Sequence, residues 1–210
     1  MKITDLTRTL KKEEGDFTTA PAKNIERDGW NAVTLCIYSH TGTHMDAPLH
    51  FNAGTEGIGE IAIENFVADC WIVNLPDIKP KSLIKPDDLG IIKTRVRPGE
   101  GVLFRTGWSG YYGNTEIFRN GLPRISEELA LWCVEKKIRI IGVEPPSIAD
   151  VNNIPEATRI HTLLLKAGIT IVEGLVNLEQ IKQDKVRFIS LPLKIEKGDG
   201  SPCRAIAIED

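Results

Sequence analysis

The sequence predicts an α/β chain of the mixed α+β kind, rich in strands and with a few helices. Three observations carry that expectation. Runs rich in β-branched and aromatic residues outnumber helical patterns. Their order does not alternate strictly between strand and helix, which argues against a doubly wound parallel sheet. Neither G-x-G-x-x-G nor G-x-x-x-x-G-K-[ST] occurs, so a dinucleotide or P-loop role has no motif to rest on.

In chain order, strand-like runs bounded by Gly, Pro or Asp fall at 33–39, 70–75 and 101–106. A helix follows from about 127 to 137, with Ser126 as N-cap, Glu127 and Glu128 in the first turn, and Lys136 and Lys137 in the last. Its apolar residues Leu129, Trp132, Cys133 and Ile138 keep helical spacing. A strand at 139–143 comes next, and then a second helix from about 155 that ends at Lys166-Ala-Gly168. Pro155 lies in the first turn of that helix and Gly168 lies past its end. Further strands are expected at 169–176, 186–193 and 204–208. No repeat or flexible linker divides the 210 residues, and the expectation is one domain over 1–210.

Composition narrows the function. Hydrophobic residues make up 41% and charged residues 26%, as in ordinary globular proteins. A net charge of -3 offers no positive field for phosphate backbones, so a nucleic-acid partner is not expected. No apolar run reaches membrane-spanning length, and the charged opening lacks the core of a signal peptide; the expectation is a cytoplasmic protein without a membrane partner. Cys36, Cys70, Cys133 and Cys203 are far apart and form no C-x-x-C, so they read as buried, reduced thiols.

Three of the four histidines, His40, His44 and His50, fall within eleven residues. Gly42 and Pro48 oppose a helix there, which favours an extended path. On such a path His40, His44, Asp46 and His50 lean to one side, while Met45, Ala47, Leu49 and Phe51 can face the interior. Imidazoles with a carboxylate suit Zn²⁺, Mn²⁺ or Fe²⁺, and three protein ligands leave room for water or substrate. The plainer alternative is a set of histidines satisfied by hydrogen bonds. His161, in the second helix, and Glu173, inside the apolar run 169–176, extend the set. A carboxylate in such a strand is costly unless it is paired or holds a cation. It therefore forms a buried ion pair, or joins His161 as a second ligand pair on the same cavity. Trp30 and Trp108, with Tyr111 and Tyr112, could stack on an aromatic substrate or simply pack a loop.

The run His40-Thr-Gly-Thr-His44-Met-Asp46-Ala-Pro48-Leu-His50 resembles the H-x-G-T-H-x-D-x-P-x-H signature of the cyclase family, which includes bacterial kynurenine formamidase (arylformamidase) and isatin hydrolase. Asp5-Leu-Thr, Pro98 to Trp108, His161-Thr-Leu-Leu-Leu and Gly168 to Asn177 resemble further stretches of it. The resemblance implies a swivelling β/β/α domain, assembled as a homodimer. It implies that His40, His44 and Asp46 hold one metal ion and that Asp46, His161 and Glu173 hold a second. Zn²⁺ is usual, and Mn²⁺ is found in the isatin type. His50 matches the catalytic histidine. The implied activity is hydrolysis of an amide C–N bond in a small aromatic substrate such as N-formylkynurenine, a step of tryptophan catabolism, by a metal-activated water with His50 as acid and base. An isatin or cyclic-imide hydrolase is the alternative within the family, and a metal-binding module without turnover is the alternative outside catalysis. The chain departs from the family pattern in two places. Glu144 stands where G-x-D-x-x-S-x-D has its first Asp, and the stretch from Thr7 to Trp30 lacks the usual proline and glycine pattern.

Overall fold

The computed structural model describes residues 1–12 and 16–209. Twelve strands are described: β1 (Lys2–Asp5), β2 (Phe17–Lys23), β3 (Ala32–Ile37), β4 (His44–Asp46), β5 (Val67–Asn74), β6 (Leu83–Ile84), β7 (Gly101–Arg105), β8 (Arg124–Ile125), β9 (Ile140–Val143), β10 (Thr170–Glu173), β11 (Lys185–Pro192) and β12 (Gly200–Glu209). The helices are α1 (Ile25–Asp28), α2 (Ile92–Arg95), α3 (Thr115–Phe118), α4 (Glu127–Glu135) and α5 (Ile154–Lys166). The strand-rich mixed fold expected from the sequence is present.

Seven strands close into a ring. β5, β7, β9 and β10 run parallel, then β4, β12 and β11 pair antiparallel and return to β5. The ten residues of β12 allow it to pair with β4 near its start and with β1 near its end. Side chains alternate between the two faces of the ring. Leu103, Ile140, Val172 and Phe188 fill the inside, and Val102, Phe104, Ile141 and Ile171 pack outside in one cluster with residues of α4 and α5. The inside is tight. A Cβ at Gly142 would meet the Leu103 and Leu175 side chains at 2.6 and 2.8 Å.

α4 begins where Ser126 accepts from the amide of Leu129, as its sequence predicts. α5 starts at Asn153, whose side chain accepts from the amide of Glu156, and gives way to Gly168 at φ +72°. Its buried residues Ala157, Ile160, His161, Leu164 and Leu165 form one stripe. His161 therefore points at the barrel because an apolar helical face carries it there.

Two expectations fail. The extended path through the histidine run stops at Asp46, because Pro48–Phe51 forms a 3₁₀ turn with Pro at its first position. Leu49 and Phe51 are consequently only half-buried. Cys36 is exposed rather than buried. The run 33–39 belongs to a two-stranded hairpin, β2–β3, in which no residue is buried. The other three thiols are buried as expected, and burial pushes Cys133 and Cys203 up to about 12.

Candidate metal centre

β4 is three residues long, yet it lies between β10 and β12, with Glu173 opposite His44 and Gly200 opposite Asp46. Met45 turns into the barrel, so His44 and Asp46 turn outward, as the alternation of the sequence required. Glu173 emerges on that same outer face, beneath α5 and His161. The loop before β4 is pressed against the end of β10: a Cβ at Gly174 would lie 2.3 Å from the carbonyl oxygen of Gly42. Gly174 also sits at φ +69°, so both sterics and backbone select glycine.

The structure brings together all six residues expected to hold metal or act beside it. His44, Asp46, His161 and Glu173 are each at most 3% exposed. His44 Nε2 lies 3.3 Å from Glu173 Oε2, and His161 Nε2 lies 3.4 Å from Glu173 Oε1 and 3.5 Å from Asp46 Oδ2. His40 Nδ1 is 3.0 Å from Asp46 Oδ1. The far nitrogens are anchored: His161 Nδ1 is 2.7 Å from the Ala157 carbonyl and His44 Nδ1 is 3.1 Å from that of Gly42. Such contacts fix which nitrogen faces the cluster. Glu173 also accepts from the amide of Ile148 at 2.7 Å. His50 sits higher, with its ring stacked on His40 at 3.9 Å and its side chain 26% exposed.

Charges follow from this packing. Burial works against charge on His40, but the carboxylates of Asp46 and Asp199 outweigh it and raise the ring to about 9. At His161 burial is again outweighed, by Glu173 and Asp46, and the ring is raised. Burial alone would raise Glu173, and the rings of His161 and His44 hold it low instead. Burial dominates at His50 and lowers it, leaving an unprotonated ring nitrogen at neutral pH.

Among the described residues, two donor sets could hold a cation: His40, Asp46 and His50, and His44, Asp46 and Glu173, both with all ligand atoms within 4.8 Å of one another. This partition differs from the one the family resemblance implies, while Asp46 is common to both sets in either case. The donors fit an ion. Four nitrogen or oxygen atoms about 2.1 Å from Zn²⁺ stand about 3.4 Å apart in a tetrahedron. The His44–Glu173, His161–Glu173 and His161–Asp46 separations of 3.3, 3.4 and 3.5 Å match that spacing and are long for hydrogen bonds. Asp46 Oδ2 is buried and has no hydrogen-bond partner among the described residues, which is costly for a carboxylate that holds nothing.

The predicted aromatic wall is corrected. Trp30 is 55% exposed on the chain between the hairpin strands and does not line the cavity beside His40 and His44. Trp108 is 1% exposed, packs with Phe118 and Leu122, and donates its indole N–H to the Phe118 carbonyl at 3.0 Å. It packs the core because the turn it occupies is pulled inward by Glu144. That carboxylate accepts from the Thr106 amide and hydroxyl and from the Trp108 amide, at 2.9, 2.7 and 2.9 Å. Burial raises the Glu144 carboxyl, and these donors oppose the rise. Of the four rings considered, Tyr112 does line a cavity of about 360 Å³ beside His40 and His44, in company with Phe118 and Arg8.

One residue at the site had no sequence signal. Asp199 Oδ2 lies 3.0 Å from His40 Nε2 and 3.7 Å from His50 Nδ1, although Asp199 is 159 positions from His40. Its place just before β12, beside β4, puts it there.

Comparison with known proteins follows the same lines. Residues 4–150 match the profile of the Cyclase family, described as "Putative cyclase". A kynurenine formamidase of Bacillus thuringiensis subsp. konkukian is 33% identical over 179 residues, which span 84% of this chain and 79% of that protein. Among solved structures, isatin hydrolase A from Ralstonia solanacearum superposes with a TM-score of 0.85 at 28% identity, covering 98% of this chain and 91% of its own. A predicted metal-dependent hydrolase from Bacillus stearothermophilus superposes at 0.77 with 26% identity, covering 98% and 97%.

Proposed function

The chain belongs to the cyclase family, and from that premise we propose that it cleaves the amide C–N bond of a small aryl formamide, such as N-formylkynurenine. It is a metal-dependent amide hydrolase of that family, acting on C–N bonds other than peptide bonds. The observation that carries the reading is the cluster of buried imidazoles and carboxylates, in which Asp46 Oδ2 makes no hydrogen bond among the described residues and lies 3.5 Å from His161 Nε2.

His40, His44, Asp46, His161 and Glu173 would hold the divalent cation, Zn²⁺ in the first place and Mn²⁺ otherwise. Where two ions bind, Asp46 is shared. A cation held there supplies Lewis-acid polarisation of the carbonyl and a more acidic water. The chain's own part is proton handling and exclusion of bulk solvent. His50, unprotonated and at the edge of the cluster, takes a proton from the attacking water and returns it to the leaving nitrogen. Asp199, beside both His40 and His50, steadies the stacked pair. Tyr112 and Phe118 add aromatic surface to the cavity wall.

Isatin, a cyclic amide, is the second reading, favoured by the TM-score of 0.85 to isatin hydrolase A over 98% of the chain. Elemental analysis and two assays test both. One or two ions per chain are expected, with N-formylkynurenine cleaved faster than isatin, activity lost to EDTA and restored by Zn²⁺ or Mn²⁺. A chain that takes up neither metal, or that cleaves neither compound when loaded, refutes the reading.

The same reading makes the 210 residues one catalytic domain acting in the cytoplasm, where the four free thiols stay reduced. It also makes the protein a homodimer. The support is the hairpin, which exposes Trp30, Val33, Leu35 and Tyr38 at 53–59%. Isolated hairpins are marginal in water, and a second copy would cover these side chains. Sedimentation velocity at micromolar concentration is expected to give twice the 23.3 kDa of one chain, and a species of single-chain mass would exclude the dimer.

A further inference from the structure

The cavity beside His40 and His44 contains a positive charge that the chemistry above does not use. Arg8 lines it and is 9% exposed, unusual for arginine. Its guanidinium carbon lies 3.5 Å from the centre of the Tyr112 ring and 4.7 Å from that of Phe118. Two aromatic rings thus set the position of a planar cation at the active-site wall. The backbone fixes it too. The Arg8 amide donates to Thr43 Oγ1 at 2.8 Å, and that hydroxyl donates to the Gly174 carbonyl at 2.7 Å. Thr43 precedes His44 and Gly174 follows Glu173, so Arg8 is tied to both strands that carry the donors.

A guanidinium presents five N–H donors in one plane, a geometry that fits carboxylate in bidentate fashion. Arg119 adds a second positive charge to the lining, and Asp16 a negative one; both are exposed, whereas Arg8 is not. A group that pairs with Arg8 is therefore held within the cavity, close to the imidazoles. We propose that Arg8 is a specificity residue that takes a carboxylate of the substrate, so that the enzyme acts on amides carrying an anionic group in preference to neutral aryl amides. This rests on the reading of the donor cluster as the site of amide hydrolysis.

The test compares neutral formanilide with 2-formamidobenzoate and N-formylkynurenine, both of which carry a carboxylate, on the metal-loaded full-length protein. Wild type is expected to favour at least one carboxylated amide by about 10- to 100-fold in kcat/KM. Arg8→Gln is expected to bring that ratio close to one, mainly through KM, and Arg8→Lys to restore part of it by keeping charge without the fork. Calorimetric binding of anthranilate and aniline needs no turnover. Anthranilate binding about tenfold tighter than aniline, and lost in Arg8→Gln, upholds the subsite even where no amide is cleaved; in that outcome the hydrolase reading fails and the subsite stands. Cleavage without preference for carboxylate overturns the subsite while hydrolysis stands. So does anthranilate binding that Arg8→Gln leaves intact, because the cation would then hold the carboxylate. A loss in Arg8→Gln that is equal for neutral and charged amides also overturns it, as the mark of a structural role.

Discussion

Asp46→Asn is expected to leave the purified protein nearly free of metal and to lower kcat/KM by at least about a thousandfold. Asp46 belongs to both donor sets, within reach of His40 on one oxygen and of His161 on the other. The amide of asparagine keeps the size of the side chain but replaces one oxygen with an NH₂ that donates and cannot ligate. The other oxygen loses its charge. Removal of a catalytic cation takes away several kcal/mol of transition-state stabilisation, and each 1.36 kcal/mol is a factor of ten. Chelator competition on protein with unchanged circular dichroism measures the effect. Wild-type metal content in Asp46→Asn would place the cation elsewhere and remove the basis of the proposed function.

His50→Ala is expected to keep the metal and lose turnover, by about 10²- to 10⁴-fold for the loss of a general acid–base group. The structure sharpens this experiment. His50 lies within ligand range of His40 and Asp46, so the same side chain could serve the cation or the proton. Two features favour the proton: partial exposure of its side chain at 26%, and its place on a 3₁₀ turn after β4 rather than on the strand with His44 and Asp46. Parallel measurement of metal content and of kcat decides. Joint loss of both would make His50 a ligand, and His44→Ala, which removes a fully buried donor, provides the reference for that outcome.

Much of this was legible in the residues. The runs at 70–75, 101–106, 139–143 and 186–193 are strands because β-branched and aromatic side chains pack on both faces of the barrel wall, and the two longest helices announce themselves through Ser126, Glu127, Pro155 and Gly168. The strands that escaped are short, like β4, β6 and β8, or lie in stretches with no strong apolar alternation, like β1 and β2. β4 exists because β10 and β12 pair with it from both sides, a condition absent from its own three residues.

The sequence by itself determined which residues were candidate donors. His40, His44, Asp46 and His50 sit close together in one run, and the cost of burying Glu173 in an apolar strand singled it out. Tertiary structure alone decided which nitrogen His44 and His161 turn inward, that Asp199 stands behind His40, and that Arg8 rather than Trp30 or Trp108 meets the cavity. The reason is one of range. Side-chain alternation and capping are fixed within a few residues, whereas closure of the barrel joins segments more than a hundred positions apart.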